Sequence, residues 1–403
     1  MSTPHAHRPL TRITVRRRPP YDVAIGPGPG PTDGRLPFPQ GERPARPPRR
    51  GPLPPPLAER VLGSLPPRAR RDALRHIAER AAGREPEPVR HDWDWMPVRR
   101  ALADAVYEDG RPLALAARAA VVPCAGVRDV GAEEFTDPRT GRRMAGRRVV
   151  GLWLVTARGS VPVDRRLMLT PRWLEPGPRQ RAGVPDDAPS GGSVTQGIDM
   201  AVGLRPPGLV PLLLDARRAH VPGVLKALRS GGLPYVLRVS GSQFVNPVRA
   251  VADGPAPDGF ITARQAAAEA ADRGGSVLSL AGRDGRPAGR AFVRLDCRTL
   301  PVPGTRKGRM VLLAEQDPHH PARGGYWLTN LTGHSTAHLL RLVRLPEPEP
   351  PLPAPAGAGH GHPASYGDWH RHTTLDSVAR AAVLLAPSHG APRPAAGRTS
   401  RVA

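Results

Sequence analysis

The stretch LVPLLLDARRAHVPGVLKALRSGGLPYVLRV at positions 209–239 decides the fold class of this chain. It begins with an apolar run that ends at Asp215, continues with helical spacing over 221–228, and closes with a second apolar run over 233–239. Strands without a regular polar face are typical of a parallel sheet that is covered on both sides. The order strand, helix, strand therefore predicts a parallel β-α-β unit within an α/β protein.

Patterns on both sides of this unit extend the same architecture. Upstream, helical spacing over 57–107 predicts a small helical region, and apolar runs at 149–155 and 161–169 predict further strands. Downstream, short strands punctuated by Gly and Pro between 240 and 326 predict an antiparallel excursion attached to the sheet. A last helix is expected over 369–385, where apolar residues recur on one face.

These patterns divide the chain into eight predicted segments. Segment 1–56 holds 16 prolines and ten arginines against three acids, a composition that cannot bury a core. In chain order, the segments are a disordered basic Pro/Arg-rich arm (1–56), a helical N-terminal region (57–110), the first part of the α/β core (111–239), a β-rich insertion with a return strand (240–332), a short helix remnant (333–345), a Pro/Gly linker (346–366), a C-terminal helix (367–386) and a disordered tail (387–403).

The charge of the chain favours a polyanionic partner. Its 403 residues carry a formal net charge of +24, and clustered cations release counterions when they meet phosphates. However, only two of the 59 basic residues are lysines, Lys226 and Lys307. A bias toward Arg, Ala, Gly and Pro is also what a GC-rich coding sequence produces, so DNA binding and compositional drift both explain the charge at this point.

Cysteine usage and hydropathy predict a cytoplasmic protein. Cys124 and Cys297 are far apart and fit no metal or redox spacing, as expected of a chain in a reducing compartment. No run of 18 or more apolar residues predicts a membrane span. The N-terminus is basic but lacks the apolar region of a secretory signal.

Asp215 is the first candidate for chemistry. An aspartate at the carboxyl end of a parallel strand lies where open α/β sheets bind their ligands. Carboxylates that converge there can hold two divalent ions, which activate a water or hydroxyl and stabilise the leaving oxygen of a phosphodiester. Alone, such a residue is a weak indication, because a single strand-end aspartate is more often a helix N-cap or a loop residue.

Five motifs that follow one another in the chain strengthen this interpretation. They are WDWMPVRR at 93–100, PVDRRLML at 162–169 with RAGVP at 181–185, LLDA at 213–216 with GLPYV at 232–236, YWLTNL at 326–331 and WHRHTTL at 369–375. Together they resemble the motifs of DDE-superfamily transposases of bacterial insertion sequences, especially the actinobacterial branch. The resemblance implies a ribonuclease-H-like core with a helical N-terminal region and a β-rich insertion. It also implies Mg²⁺ or Mn²⁺ and DNA strand transfer.

The resemblance further implies three catalytic acids, and this chain departs from that pattern at two of them. Where the family has Asp-Asp-Thr-Gly, the chain has PCAG at 123–126. Where the family carries its glutamate on a basic helix, the chain has RLPEPE at 344–349, whose alternating prolines forbid a helix. Asp215 is thus the vestigial catalytic and metal-binding candidate. Arg217 and Arg218 are candidate contacts for DNA phosphates.

The sequence therefore favours a degenerate insertion-sequence transposase-like protein that binds DNA without cleaving it. Mg²⁺ or Mn²⁺ is expected only if activity remains. An alternative is an active enzyme in which Asp129 or Asp137 and Glu347 or Glu349 replace the lost acids. Further alternatives are a non-enzymatic DNA-binding regulator derived from a transposase and the product of a decaying gene. The oligomeric state is left open.

Overall fold

The computed structural model describes residues 54–124, 126, 129–136, 141–204, 208, 210–248, 259–272, 277–281, 287–298, 308–316, 324–345 and 365–386. Most of the predicted basic arm, most of the predicted linker and the predicted tail lie outside these residues.

Ten helices and twelve strands form within the described residues. The helices are α1 (Pro55–Gly63), α2 (Pro67–Ala81), α3 (Trp95–Gly110), α4 (Pro171–Leu174), α5 (Pro176–Ala182), α6 (Ser193–Leu204), α7 (Val221–Ser230), α8 (Ala263–Asp272), α9 (Thr336–Val343) and α10 (Tyr366–Leu385). The strands are β1 (Ala114–Pro123), β2 (Ala132–Thr136), β3 (Arg143–Thr156), β4 (Gly159–Leu167), β5 (Leu212–Asp215), β6 (Tyr235–Val239), β7 (Phe244–Pro247), β8 (Ile261–Thr262), β9 (Val277–Ala281), β10 (Pro287–Arg298), β11 (Arg309–Gln316) and β12 (Tyr326–Thr329).

The N-terminal helices begin where the sequence supplies start signals. Proline lies in the first turn of α1 and of α2, where its missing N–H costs nothing and its fixed φ suits the helix. Helix α3 is capped by Asp94, whose side chain accepts a hydrogen bond from the Met96 N–H. The apolar residues of these helices enter the main core, as with Leu57, Ile77 and Leu102.

The centre of the sheet has the strand order β4-β3-β1-β5-β6. Strand β3 pairs antiparallel with both β1 and β4, whereas β5 runs parallel to β1 and to β6. Helix α7 connects β5 to β6, as the β-α-β prediction requires. This mixed sheet with its flanking helices confirms the predicted α/β, ribonuclease-H-like fold class.

The insertion after β6 extends the sheet on one side. Strand β12 pairs antiparallel with β6, and β11, β10 and β7 follow it outward. The antiparallel character agrees with the sequence prediction, but two features differ from it. Strand β10 is twelve residues long, and the ten-residue helix α8 was not predicted because its buried face consists of small alanines.

Both faces of the sheet are covered. On β1, Leu115 and Ala117 point into the main core, which also contains residues of α3, α6, α7 and α10. Ala114, on the opposite face, packs in a separate cluster with Leu339 and Leu342 of α9. Asp215 at the end of β5 therefore lies between a helix-rich face and the face under α9.

Candidate functional site

Asp215 is held by a single arginine. Its carboxylate is about half exposed, with the side chain at 47%. Arg217 Nε lies 3.0 Å from each carboxylate oxygen, and Arg217 Nη2 donates to Oδ2 at 2.6 Å. The backbone N–H of Arg217 donates a further bond of 3.1 Å to Oδ1. Asp215 is not a helix N-cap, because α7 begins six residues later and is capped by His220.

Two more arginines stand beside this pair on the neighbouring strands. Arg238 of β6 is the register partner of Asp215. On the other side, Ala117 of β1 pairs with Leu214, so Arg118 is the next residue toward Asp215. Arg118, Arg217 and Arg238 all line one cleft of about 200 Å³ with Asp215, against the face that α9 covers.

The register corrects the motif assignment made from sequence. Positions 123–126 were expected at the first catalytic acid, but β1 reaches the level of Asp215 at Arg118. Pro123 lies five residues further along the strand, about 17 Å away at the usual rise per residue. An arginine, rather than the PCAG stretch, therefore occupies the position beside Asp215.

Among the proposed replacement acids, Asp129 is the one that the structure describes, and it does not line the cleft. Its carboxylate pairs with Arg147, whose Nη2 lies 3.0 Å from Oδ2. Asp137, Glu347 and Glu349 lie outside the described residues. Across the described ranges, no group of three or more His, Cys, Asp or Glu side chains could hold a metal ion.

The donor set at the edge does not fit a pair of divalent ions. Mg²⁺ and Mn²⁺ require several oxygen ligands, and Asp215 is the only carboxylate among the cleft residues that the structure describes. Burial alone would raise the pKa of Asp215, but the hydrogen bonds and charge of Arg217, with the charge of Arg238, lower it below its ordinary value. The carboxylate is ionised yet already neutralised by guanidinium groups.

A second and larger cavity opens on the other side of Asp215. It has a volume of about 810 Å³ and lies between the start of α6 and the start of α7. Its basic lining residues are Arg217, Arg218 and His220. Hydroxyl groups reach it from Ser193, Thr195 and Ser240. Two of the three predicted site residues, Asp215 and Arg217, thus line both cavities, and Arg218 lines this one.

Three of the sequence motifs meet away from this edge, in a buried network. Arg99 of the first motif donates from Nη1 to Asp164 of the second motif, and from Nε to Thr374 Oγ1 of the last motif at 2.9 Å. Its Nη2 donates to His370 Nδ1 at 3.0 Å, and its Nη1 also to the Arg165 carbonyl at 3.1 Å. These contacts join α3, β4 and α10 in the core.

The surroundings of Arg99 exclude water. Arg99 and Asp164 are 2% and 4% exposed. Burial lowers the pKa of Arg99, and the charge of Asp164 opposes that shift. Trp95 stacks on His370 with ring centroids 4.6 Å apart and an interplanar angle of 9°. Burial also lowers the pKa of His370 well below its ordinary value, so the ring is neutral.

A second polar contact ties α10 to α2. Arg80 donates to both oxygens of Asp376, at 2.9 and 3.2 Å, and His76 Nε2 lies 3.1 Å from the same carboxylate. Beside it, His372 Nε2 accepts a hydrogen bond of 3.2 Å from the Val89 N–H.

Residues 89–272 match the DDE superfamily endonuclease family. This similarity supports a transposase-like protein of the DDE superfamily. The matched residues run from just before α3 to the end of α8 and include the first three motifs. No curated protein matches the chain.

The networks of this transposase-like protein were missed by sequence reasoning. From the sequence, these motifs indicate the surroundings of a catalytic site. In the structure, Arg99, Asp164 and His370 instead hold α3 and α10 against the sheet. The available signal was a charged or polar residue within an apolar pattern, as with Asp164 inside β4.

No described helix combines the length and apolar character needed to cross a bilayer.

Proposed function

We propose that this transposase-like protein binds DNA at the carboxyl edge of its sheet and does not cleave it. It would be a degenerate relative of insertion-sequence transposases, acting in the cytoplasm. The observation that carries the proposal is the arginine cluster around Asp215: the carboxylate is bound on both oxygens by Arg217, with Arg118 and Arg238 on the flanking strands.

The charge balance supports phosphate binding over metal binding. Three arginines and one carboxylate are the charged residues among the cleft residues that the structure describes, so this lining carries a net positive charge. A dication would meet electrostatic repulsion there and would find a single ligand that is already occupied. Guanidinium groups suit phosphate oxygens, because their planar donors form two parallel hydrogen bonds to them.

Loss of cleavage follows from the same arrangement. Phosphodiester cleavage by this superfamily's chemistry needs two metal ions about 3.5–4 Å apart, held by carboxylates on both sides. Asp215 alone cannot bridge such a pair, and Arg118 lies where a second strand would contribute its acid. The expected outcome is binding without turnover.

DNA binding is tested by titrating a labelled duplex at several salt concentrations. The logarithm of the affinity should fall linearly with the logarithm of salt, with a slope of about −0.9 for each phosphate contacted. Arg238→Ala and Arg118→Ala should each weaken binding and reduce that slope by about one. Arg158→Ala is the matched control, because Arg158 is exposed in the β3–β4 turn at the opposite end of the sheet.

Cleavage is tested with supercoiled plasmid in Mg²⁺ and in Mn²⁺. No nicking above background is expected for the native protein or for Asp215→Ala. Nicking that Asp215→Ala abolishes would overturn the proposal and favour the active-enzyme alternative. A salt-independent affinity, unchanged by both edge variants, would instead remove the DNA-binding part.

A further inference from the structure

The 810 Å³ cavity beside Asp215 has the size of a ligand site. Small-molecule sites are typically about 300–1,000 Å³, with a few convergent polar groups. A bare anion would leave most of this volume empty, so the cavity suits an anion that is attached to a larger group. Its lining mixes apolar side chains, such as Val194, Ile198 and Val224, with basic and hydroxyl groups.

The charge in the cavity is positive once its internal ion pair is counted. Arg217 neutralises Asp215 through three side-chain contacts of 2.6–3.0 Å. Arg218, the next residue, is exposed and brings a further positive charge to the same lining. Asp215 is the one acidic side chain among the lining residues that the structure describes, and it reduces the net positive charge of the cavity.

His220 lines this cavity, and its ring can supply a hydrogen-bond donor. Its Nδ1 accepts from the Gly223 N–H at 3.3 Å, which caps α7. In the neutral ring, the proton must then lie on Nε2, and that nitrogen is a donor. A protonated Nε2 can donate a hydrogen bond to an anion, but it cannot act as a ligand for a cation.

The backbone of α6 adds donors of the same kind. Ser193, Val194 and Thr195 line the cavity from the first turn of this twelve-residue helix, where N–H groups have no partner within the helix. The positive end of the helix dipole faces the same space. Helix α7 contributes less, because Pro222 lacks an N–H and the Gly223 N–H is bonded to His220.

We propose that this cavity binds a phosphate group of a nucleic acid, with Arg218 and His220 as its side-chain ligands and the first turn of α6 as its backbone ligand. The inference rests on the proposed function, since the same protein must engage DNA for the site to be filled. The proposed phosphate lies on the side of Asp215 that faces α6 and α7. It is separate from any phosphate that the arginine cleft under α9 contacts.

The test measures binding of four probes by the full-length protein. The probes are inorganic phosphate, thymidine 5′-monophosphate, and one single-stranded oligonucleotide made with a 5′-phosphate and with a 5′-hydroxyl. Inorganic phosphate and the mononucleotide should compete with the oligonucleotide. If a strand end supplies the phosphate, the phosphorylated oligonucleotide should bind about tenfold tighter than its hydroxyl form. If an internal phosphate supplies it, both forms should bind equally.

Variants decide whether the cavity is responsible. Arg218→Ala and His220→Ala should each weaken phosphate competition about three- to tenfold, whereas Arg218→Lys should retain most of it, and Arg158→Ala should have no effect. Asp215→Asn should strengthen it, because the repelling carboxylate is removed. Circular dichroism confirms that each variant is folded.

The proposal is overturned if Arg218→Ala and His220→Ala leave the affinities of all four probes unchanged. Failure of the cavity assignment can be distinguished from failure of the proposed function. DNA binding that depends on Arg118 and Arg238 but not on Arg218 or His220 would remove only the cavity assignment. Competition by inorganic phosphate that depends on Arg218 and His220, together with DNA binding that does not depend on Arg118 or Arg238, would remove only the proposed role of the arginine cleft.

Discussion

An arginine holds a carboxylate in two regions of this molecule, and the two pairs differ in what surrounds them. Arg99 and Asp164 are 2% and 4% exposed and share their pocket with His370 and Thr374. The side chains of Arg217 and Asp215 are 51% and 47% exposed at the edge of the sheet. The first pair joins α3 to β4 in the core. The second stands beside a cleft in which Asp215 is the one carboxylate among the residues that the structure describes.

The difference in burial between the two ion pairs indicates which of them the folded state requires. Removing one partner of a buried ion pair leaves an uncompensated charge in the core and costs about 3–5 kcal/mol. An exposed pair contributes about 0–1 kcal/mol. Substitutions at the sheet edge can therefore abolish metal chemistry with little loss of stability, whereas substitutions in the buried network destabilise the protein strongly.

The largest expected effect comes from breaking the buried pair. Arg99→Met should lower the free energy of unfolding by about 3–5 kcal/mol, because the buried Asp164 side chain loses the guanidinium that it contacts most closely. Urea denaturation measures the change. The matched control is Arg100→Met on the adjacent, exposed position of α3, where a change below about 0.5 kcal/mol is expected.

The double variant Arg99→Met/Asp164→Leu separates charge from packing. It should recover part of the lost stability, because both members of the buried ion pair are then replaced by apolar side chains. If Arg99→Met alone cost less than about 1 kcal/mol, the contrast between the two regions would not hold.

A smaller effect should appear as pH dependence at the joint between α2 and α10. Burial lowers the pKa of His372 from 6.5 to about 4, helped by the nearby His76 and Arg371 and opposed by Asp376 and Asp368. The folded state then binds fewer protons than the unfolded state between pH 6.5 and 4. Stability should accordingly fall as the pH drops through this window, by up to about 1.4 kcal/mol per pH unit from this group.

His372→Gln tests this origin of the slope. Unfolding free energies between pH 7 and pH 4 should depend less steeply on pH in His372→Gln than in the native protein. His334→Gln, at an exposed position before α9, should leave the slope as it was. An identical slope in the native protein and in His372→Gln would assign the pH dependence to other groups.

The smallest effect is expected at the sheet edge. Asp215→Asn should change the free energy of unfolding by less than about 1 kcal/mol, because the pair with Arg217 is half exposed. Thermal melting and urea denaturation both measure this. A loss comparable to that of Arg99→Met would mean that the edge is structural as well.

Local patterns predicted the elements, whereas long-range pairing decided the site. The β-α-β unit around Asp215 was evident because its apolar runs and helical spacing lie within about 30 consecutive residues. The neighbour of Asp215 on β1 was not, since the register places Arg118 there while local similarity had placed 123–126. The Arg99 network joins residues 65 to 275 positions apart, beyond the reach of any periodicity.

Helix α10 has a consequence for how the polypeptide is made. Its Asp376 and His370 complete contacts with Arg80 and Arg99, which precede them by 296 and 271 positions. While a ribosome is still translating the intervening stretch, those early guanidinium groups lack these acceptors, and α2 lacks the surface of α10 against which it packs. Final assembly must therefore await release of the last helix from the exit tunnel, and such non-local contacts are expected to slow it.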